Sequence, residues 1–174
     1  MTELDERAGA LSEEEKARRD VLVSSINDAM RNVVFEQNPP PGFGLADVRG
    51  YSNEELYSIA RLGYFFFYQG KIEEARTVFQ GLYAVNPLDP YFAKALGVVE
   101  MAAGNAAGAV AAYDVCLKLS PKDSAAYVGR AEVKVAQGQR TAAVEDLRRA
   151  AQFVDPEDPL KEKIGALLQR LSRK

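Results

Sequence analysis

From about residue 51 onward, apolar and small residues follow the i, i+3, i+4 spacing of amphipathic helices. Short polar turns such as Gln69-Gly70-Lys71 and Gln137-Gly138-Gln139 interrupt them. The pattern repeats. Gly70, Gly104 and Gly138 stand 34 residues apart, as do Ala75, Ala109 and Ala143; Phe79, Tyr113 and Leu147; and Leu82, Cys116 and Ala150. Pro87 and Pro121 share that step, and Leu62-Gly63 recurs as Leu96-Gly97. Each unit makes physical sense. The glycine supplies a left-handed residue where a first helix ends, without a Cβ clash. The alanine five residues on lets two helices approach, and the large residue four further lies on the same face. The proline then stops the second helix, with Asp89 or Asp123 just beyond it. The spacing therefore predicts helix, tight turn, helix, stop, in three units over 56–89, 90–123 and 124–157. The third unit departs from the others: Arg130-Ala131 replaces Leu-Gly, and Asp155-Pro156 moves the proline by one.

The flanks read differently. Residues 1–12 are expected to form a disordered acidic tail. Ser12-Glu13-Glu14-Glu15 is a capping box, and Leu22, Ile26, Ala29, Met30 and Val33 follow at helical spacing, so 13–50 is read as an N-terminal amphipathic helix and a proline-rich linker. Asn38-Pro39-Pro40-Pro41-Gly42 breaks that helix. Ser52-Asn53-Glu54-Glu55 is a second capping box and opens the repeats. Asp158-Pro159 starts a last helix, with Leu160, Ile164, Leu167, Leu168 and Leu171 on one face. Residues 51–174 are thus a three-repeat helical domain closed by a C-terminal capping helix.

Composition narrows the chemistry. The chain has 174 residues, 47% hydrophobic and 27% charged, the balance of an ordinary soluble domain. No apolar run is long enough to span a bilayer, so no stable membrane insertion is expected. The first residues are acidic and lack the regions of a secretory leader. With 22 basic and 25 acidic residues, the net charge of −3 argues against a nucleic-acid partner. The chain has no histidine and one cysteine, Cys116, which removes histidine catalysis, most metal sites and any internal disulfide. Glycine-rich phosphate loops and carboxylate–base clusters are also missing, so neither an enzyme nor a cofactor or metal is expected. Cys116 falls at a small buried position, read as core and not as a nucleophile.

These residues resemble the tetratricopeptide repeat family. The resemblance implies an all-α fold: a right-handed superhelix of three tetratricopeptide-type helix pairs, with an N-terminal amphipathic helix and a C-terminal capping helix. Such stacks bury a continuous core and leave an extended groove free. In the family, the first helix of each pair lines that groove. Carrying the register over assigns Tyr57, Ala60, Arg61, Tyr64, Phe67 and Tyr68 from the first unit, Tyr91, Lys94, Ala95, Val98 and Met101 from the second, and Ala125, Val128, Glu132 and Val135 from the third. In the run Tyr64-Phe65-Phe66-Phe67-Tyr68, Phe66 is expected in the core. The other rings either form apolar pockets for an extended peptide or are shielded by the N-terminal helix. A basic clamp for a free carboxylate is not expected, because Ala60, Tyr64, Ala95, Ala125 and Gly129 occupy the clamp positions.

Residues 44–155 also look like the class II chaperones of bacterial type III secretion, which guard hydrophobic translocator proteins. The likeness rests on Gly44-Leu45-Ala46-Asp47 with Gly50, Leu56-Tyr57-Ser58-Ile59-Ala60, Tyr68-Gln69-Gly70-Lys71 with Glu74-Ala75, Val78-Phe79-Gln80-Gly81-Leu82, Leu96-Gly97 and Ala109-Val110-Ala111-Ala112-Tyr113. It implies a cytoplasmic bacterial chaperone that binds a hydrophobic translocator-type segment in its groove and pairs as a homodimer through its N-terminal region. For that pairing the candidates are Leu22, Ile26, Met30 and Val33, unless the same stripe docks on its own repeats. Where the family carries an aromatic, Ala60 would leave a smaller pocket. The alternative is a generic scaffold joining two soluble proteins.

Overall fold

The computed structural model describes residues 51–172. The expected acidic tail, N-terminal helix and proline-rich linker, with Leu22, Ile26, Met30 and Val33, lie outside the described residues. Among the latter, all regular structure is helical: α1 (Asn53–Tyr68), α2 (Ile72–Val85), α3 (Pro90–Ala102), α4 (Ala106–Leu119), α5 (Ser124–Ala136), α6 (Arg140–Phe153) and α7 (Leu160–Ser172).

Local chemistry sets each boundary. At the start of α1, Glu55 N–H donates to Ser52 Oγ (3.2 Å) and Ser52 N–H donates back to Glu55 Oε2 (2.8 Å), closing the predicted capping box. Asp89 and Asp123 cap α3 and α5 by accepting from Tyr91 N–H (2.9 Å) and Ala126 N–H (2.8 Å). Asp158 accepts from Leu160 N–H at 2.8 Å where α7 begins. The three turn glycines have φ of 72°, 76° and 74°. Beside each, the next residue's N–H reaches back to a carbonyl five residues earlier: Lys71 to Phe66 (2.9 Å), Asn105 to Glu100 (2.9 Å) and Gln139 to Lys134 (2.8 Å). This is the Schellman closure, and it requires the left-handed residue that glycine adopts at low cost.

Each helix packs on the next in sequence, and α3 also meets α5 directly. Within a pair the approach is set by a small residue opposite a large one. A Cβ placed on Gly63 would lie 2.8 Å from the Phe79 ring, and one on Gly97 2.9 Å from the Tyr113 ring. In the third pair, Ala131 and Leu147 take these places in one core cluster. The departure from Leu-Gly is therefore a compensated one: the added methyl faces a smaller partner. Arg130 is compensated too. It stands where the earlier units have Leu62 and Leu96, while Asp146 stands where they have Val78 and Ala112. The Arg130 guanidinium binds the Asp146 carboxylate through Nε (2.9 Å) and Nη2 (2.6 Å), replacing an apolar contact with a forked ion pair.

The capping helix behaves as its pattern predicts. Ile164 is buried, and Leu160, Leu167, Leu168 and Leu171 pack on the cluster built from α5 and α6. Cys116, on α4, is fully buried, and burial, then the charge of Asp123, push its thiol up to about 11. Thiolate is therefore scarce at neutral pH. A maleimide reagent should label folded protein many-fold more slowly than protein in denaturant; equal rates would show Cys116 to be accessible.

Candidate functional site

The first helices α1, α3 and α5 form a continuous row. Tyr57 of α1 lies edge-on to Tyr91 of α3 at 5.3 Å between ring centroids and 5.5 Å from Phe92. Tyr64 is edge-on to Phe79 at 5.0 Å and reaches Tyr91 at 6.3 Å. Tyr68 stacks on Tyr64 at 6.5 Å and meets Phe67 at 5.8 Å. The run of rings after Gly63 thus divides by helical angle. Phe66 enters the core at 7% exposure, Tyr64 and Phe67 are half-buried, and Tyr68 stands 81% exposed. Phe65, which the register did not assign to the lining, is 41% exposed.

The residues assigned from the register are not all at the surface. Tyr57 (38%), Tyr68 and Met101 (37%) are exposed, as is Arg61; Tyr91, Lys94, Val98, Glu132 and Val135 are half-buried. Ala60 and Val128 are buried, at 0% and 2%, as is Ala95. These three offer no surface to a ligand, and Ala60 opens no pocket there. Residues 60, 94 and 128 share one register position, so side-chain length decides: Lys94 extends to Asp123, whereas Ala60 and Val128 end below the surface.

The caps reach into this face, a feature that periodicity alone does not disclose. Tyr57 donates its hydroxyl hydrogen to Asp89 Oδ2 at 2.8 Å, and that hydrogen bond, then burial, raises the phenol pKa above its ordinary value. Lys94 Nζ lies 2.6 Å from Asp123 Oδ2. Each aspartate thus caps the following first helix and holds a side chain of the preceding one. Burial, then a hydrogen bond with Tyr91, pushes the Tyr64 phenol up as well. At the far end, Lys163 of α7 pairs with Glu132 of α5 at 2.8 Å. The face therefore runs from a tyrosine-rich end on α1 and α3 to an ion-paired end on α5 and α7. Its chemistry is that of binding: rings, methyl groups and fixed polar tips.

The paired helices, left-handed turn glycines and matched small and large residues give the chain a tetratricopeptide-like helical-repeat fold. Residues 61–124 match the tetratricopeptide repeat family model. Among solved structures, the Yersinia enterocolitica type III secretion translocator chaperone SycD is similar at a TM-score of 0.69 and 23% identity, over 74% of this chain and 98% of that one. Pseudomonas aeruginosa PcrH, solved in complex with the chaperone-binding region of PopD, gives 0.67 at 21% identity over 71% and 95%. The first tetratricopeptide domain of Spaghetti (RPAP3), bound to an HSP90 peptide, gives 0.64 at 18% over 70% and 94%. At these identities the likeness is one of fold. Comparison with curated proteins finds no match.

Proposed function

We propose that this protein is a type III secretion chaperone that holds an extended segment of a hydrophobic translocator protein against the aromatic face of α1 and α3. The observation that carries the reading is the set of rings left at the surface of the first helices, with Tyr68 the most exposed. Large exposed rings in a contiguous patch favour a partner over water. The fold is shared with PcrH, solved with a region of PopD, and with SycD, solved with a YopD peptide. No helix among the described residues is long and apolar enough to cross a membrane.

The mechanism is that of a holdase. An apolar segment laid on the face removes area from water at about 25 cal/mol per Å². Ordering that segment offsets much of the gain, giving an affinity moderate enough for release before export. On this reading the protein acts in the bacterial cytoplasm, and Leu22, Ile26, Met30 and Val33 pair two copies. Co-expression with a candidate translocator should keep the translocator in the soluble fraction. Captured partners that all fold without this chain would support a scaffold instead. In a peptide-binding titration Tyr68→Ala should weaken binding of an apolar peptide about ten-fold, the scale of an aromatic hot spot. Its thermal midpoint should stay unchanged because the ring is exposed; equal binding by wild type and variant would remove Tyr68 from the site.

A further inference from the structure

Building on that reading, we propose that the bound segment carries an acidic side chain beside its apolar anchors, and that Arg61 selects it. Arg61 shares the α1 stripe of Tyr57, Tyr64 and Tyr68 by helical spacing and is exposed. Its guanidinium Nη2 donates to Ser58 Oγ at 2.7 Å, a neutral acceptor one turn back. The other cations on the first helices already have carboxylates: Lys94 has Asp123 at 2.6 Å, and Arg130 and Lys134 share Asp146 at 2.6 and 2.7 Å; Lys163 of α7, beside the row, has Glu132 at 2.8 Å. Among the described residues, no carboxylate pairs with Arg61. An exposed cation without a carboxylate therefore stands on the helix stripe that carries the exposed rings.

Solvation decides what must meet it. A segment laid along Tyr57, Tyr64 and Tyr68 also passes over Arg61, which falls between them along the helix, and takes water from its guanidinium. Burying a charge without an acceptor is costly, so an all-apolar ligand would be penalised there. A carboxylate matches the planar fork with two parallel hydrogen bonds and opposite charge, which a lone main-chain carbonyl does not. The pairs elsewhere on the row confine this preference to one position, so the ligand is an extended apolar segment with a single well-placed Asp or Glu.

The test is display selection of random peptides on the full-length chain and on Arg61→Glu, with circular dichroism confirming that both are folded. Wild type should enrich peptides in which Asp or Glu keeps a fixed distance from large apolar residues; the variant should enrich Lys or Arg there. For one selected peptide, Glu→Gln should weaken wild-type binding about five-fold, the scale of a partly exposed ion pair. The difference should shrink in high salt and vanish on Arg61→Met. If both proteins enrich the same apolar peptides without charge preference, the ligand's main chain satisfies Arg61; this inference falls, while the chaperone reading stands. If neither enriches apolar peptides, both fall.

Discussion

Asp146→Ala is expected to destabilise the protein by about 3–5 kcal/mol, the cost of removing one partner from a buried ion pair. The aspartate is 4% exposed and accepts from Arg130 Nε and Nη2 and from Lys134 Nζ. Alanine strands both cations, whose side chains are each only 17% exposed. Arg130 keeps Asp114, at 2.5 Å from Nη1, but that carboxylate is 45% exposed and its pull is screened by water. The double variant Arg130→Leu with Asp146→Val is the informative partner. It rebuilds the Leu62/Val78 pairing of the first unit at the same offset of 16 residues. Exchanging a buried ion pair for packed apolar groups is often neutral or favourable, and Lys134 can extend its stem to water. The double variant should recover most of the loss in denaturant unfolding. A single variant within about 0.5 kcal/mol of wild type, the range of ordinary surface changes, would show that this network adds nothing to stability.

The same pair marks the boundary of what the sequence discloses. Repeat length, turn glycines, caps at Asp89 and Asp123, and the apolar face of α7 are legible because backbone requirements impose them locally: a left-handed residue, an acceptor for orphan N–H groups, a 3.6-residue stripe. The coupled replacements are less so. Arg130 looks like decay of the motif until it is aligned with Asp146 at the offset where the other units place Leu62 with Val78, and Ala131 looks the same until it is aligned with Leu147. The lining of the inner face is legible only to within one helical step. Register placed Ala60 and Val128 with Tyr64 and Tyr91 on the face, yet both are buried, while the longer Lys94 at the same register position reaches Asp123. The bonds from Tyr57 to Asp89 and from Lys94 to Asp123 span 32 and 29 residues, and no local pattern announces them.

Tyr113→Ala should cost about 3–5 kcal/mol, in the range of a large aromatic removed from a packed core. Tyr113 is 1% exposed and heads the fully buried side chains by volume. Its ring lies between two helices that carry glycine where they face it. A Cβ on Gly97 of α3 would lie 2.9 Å from the ring, and one on Gly129 of α5 would lie 2.4 Å from it. The ring therefore joins the second unit internally and to the third at once. In a repeat array, stability is a sum of units and the interfaces between neighbours, so losing this ring weakens the coupling as well as the unit. Unfolding of Tyr113→Ala should broaden, with α5–α7 separating from α1–α4 before the rest melts. Gly129→Ala probes the same contact from the other side. Its methyl must displace a ring that has no room to move, at about 1–3 kcal/mol, and adding Tyr113→Leu should relieve part of that cost, as the Ala131/Leu147 pair does in the third unit. Hydrogen exchange resolved by helix would read both effects. Uniform protection loss across α1–α7 in Tyr113→Ala would mean the array unfolds as one block, and strictly additive costs in the double variant would mean that Gly129 is not there to admit the ring.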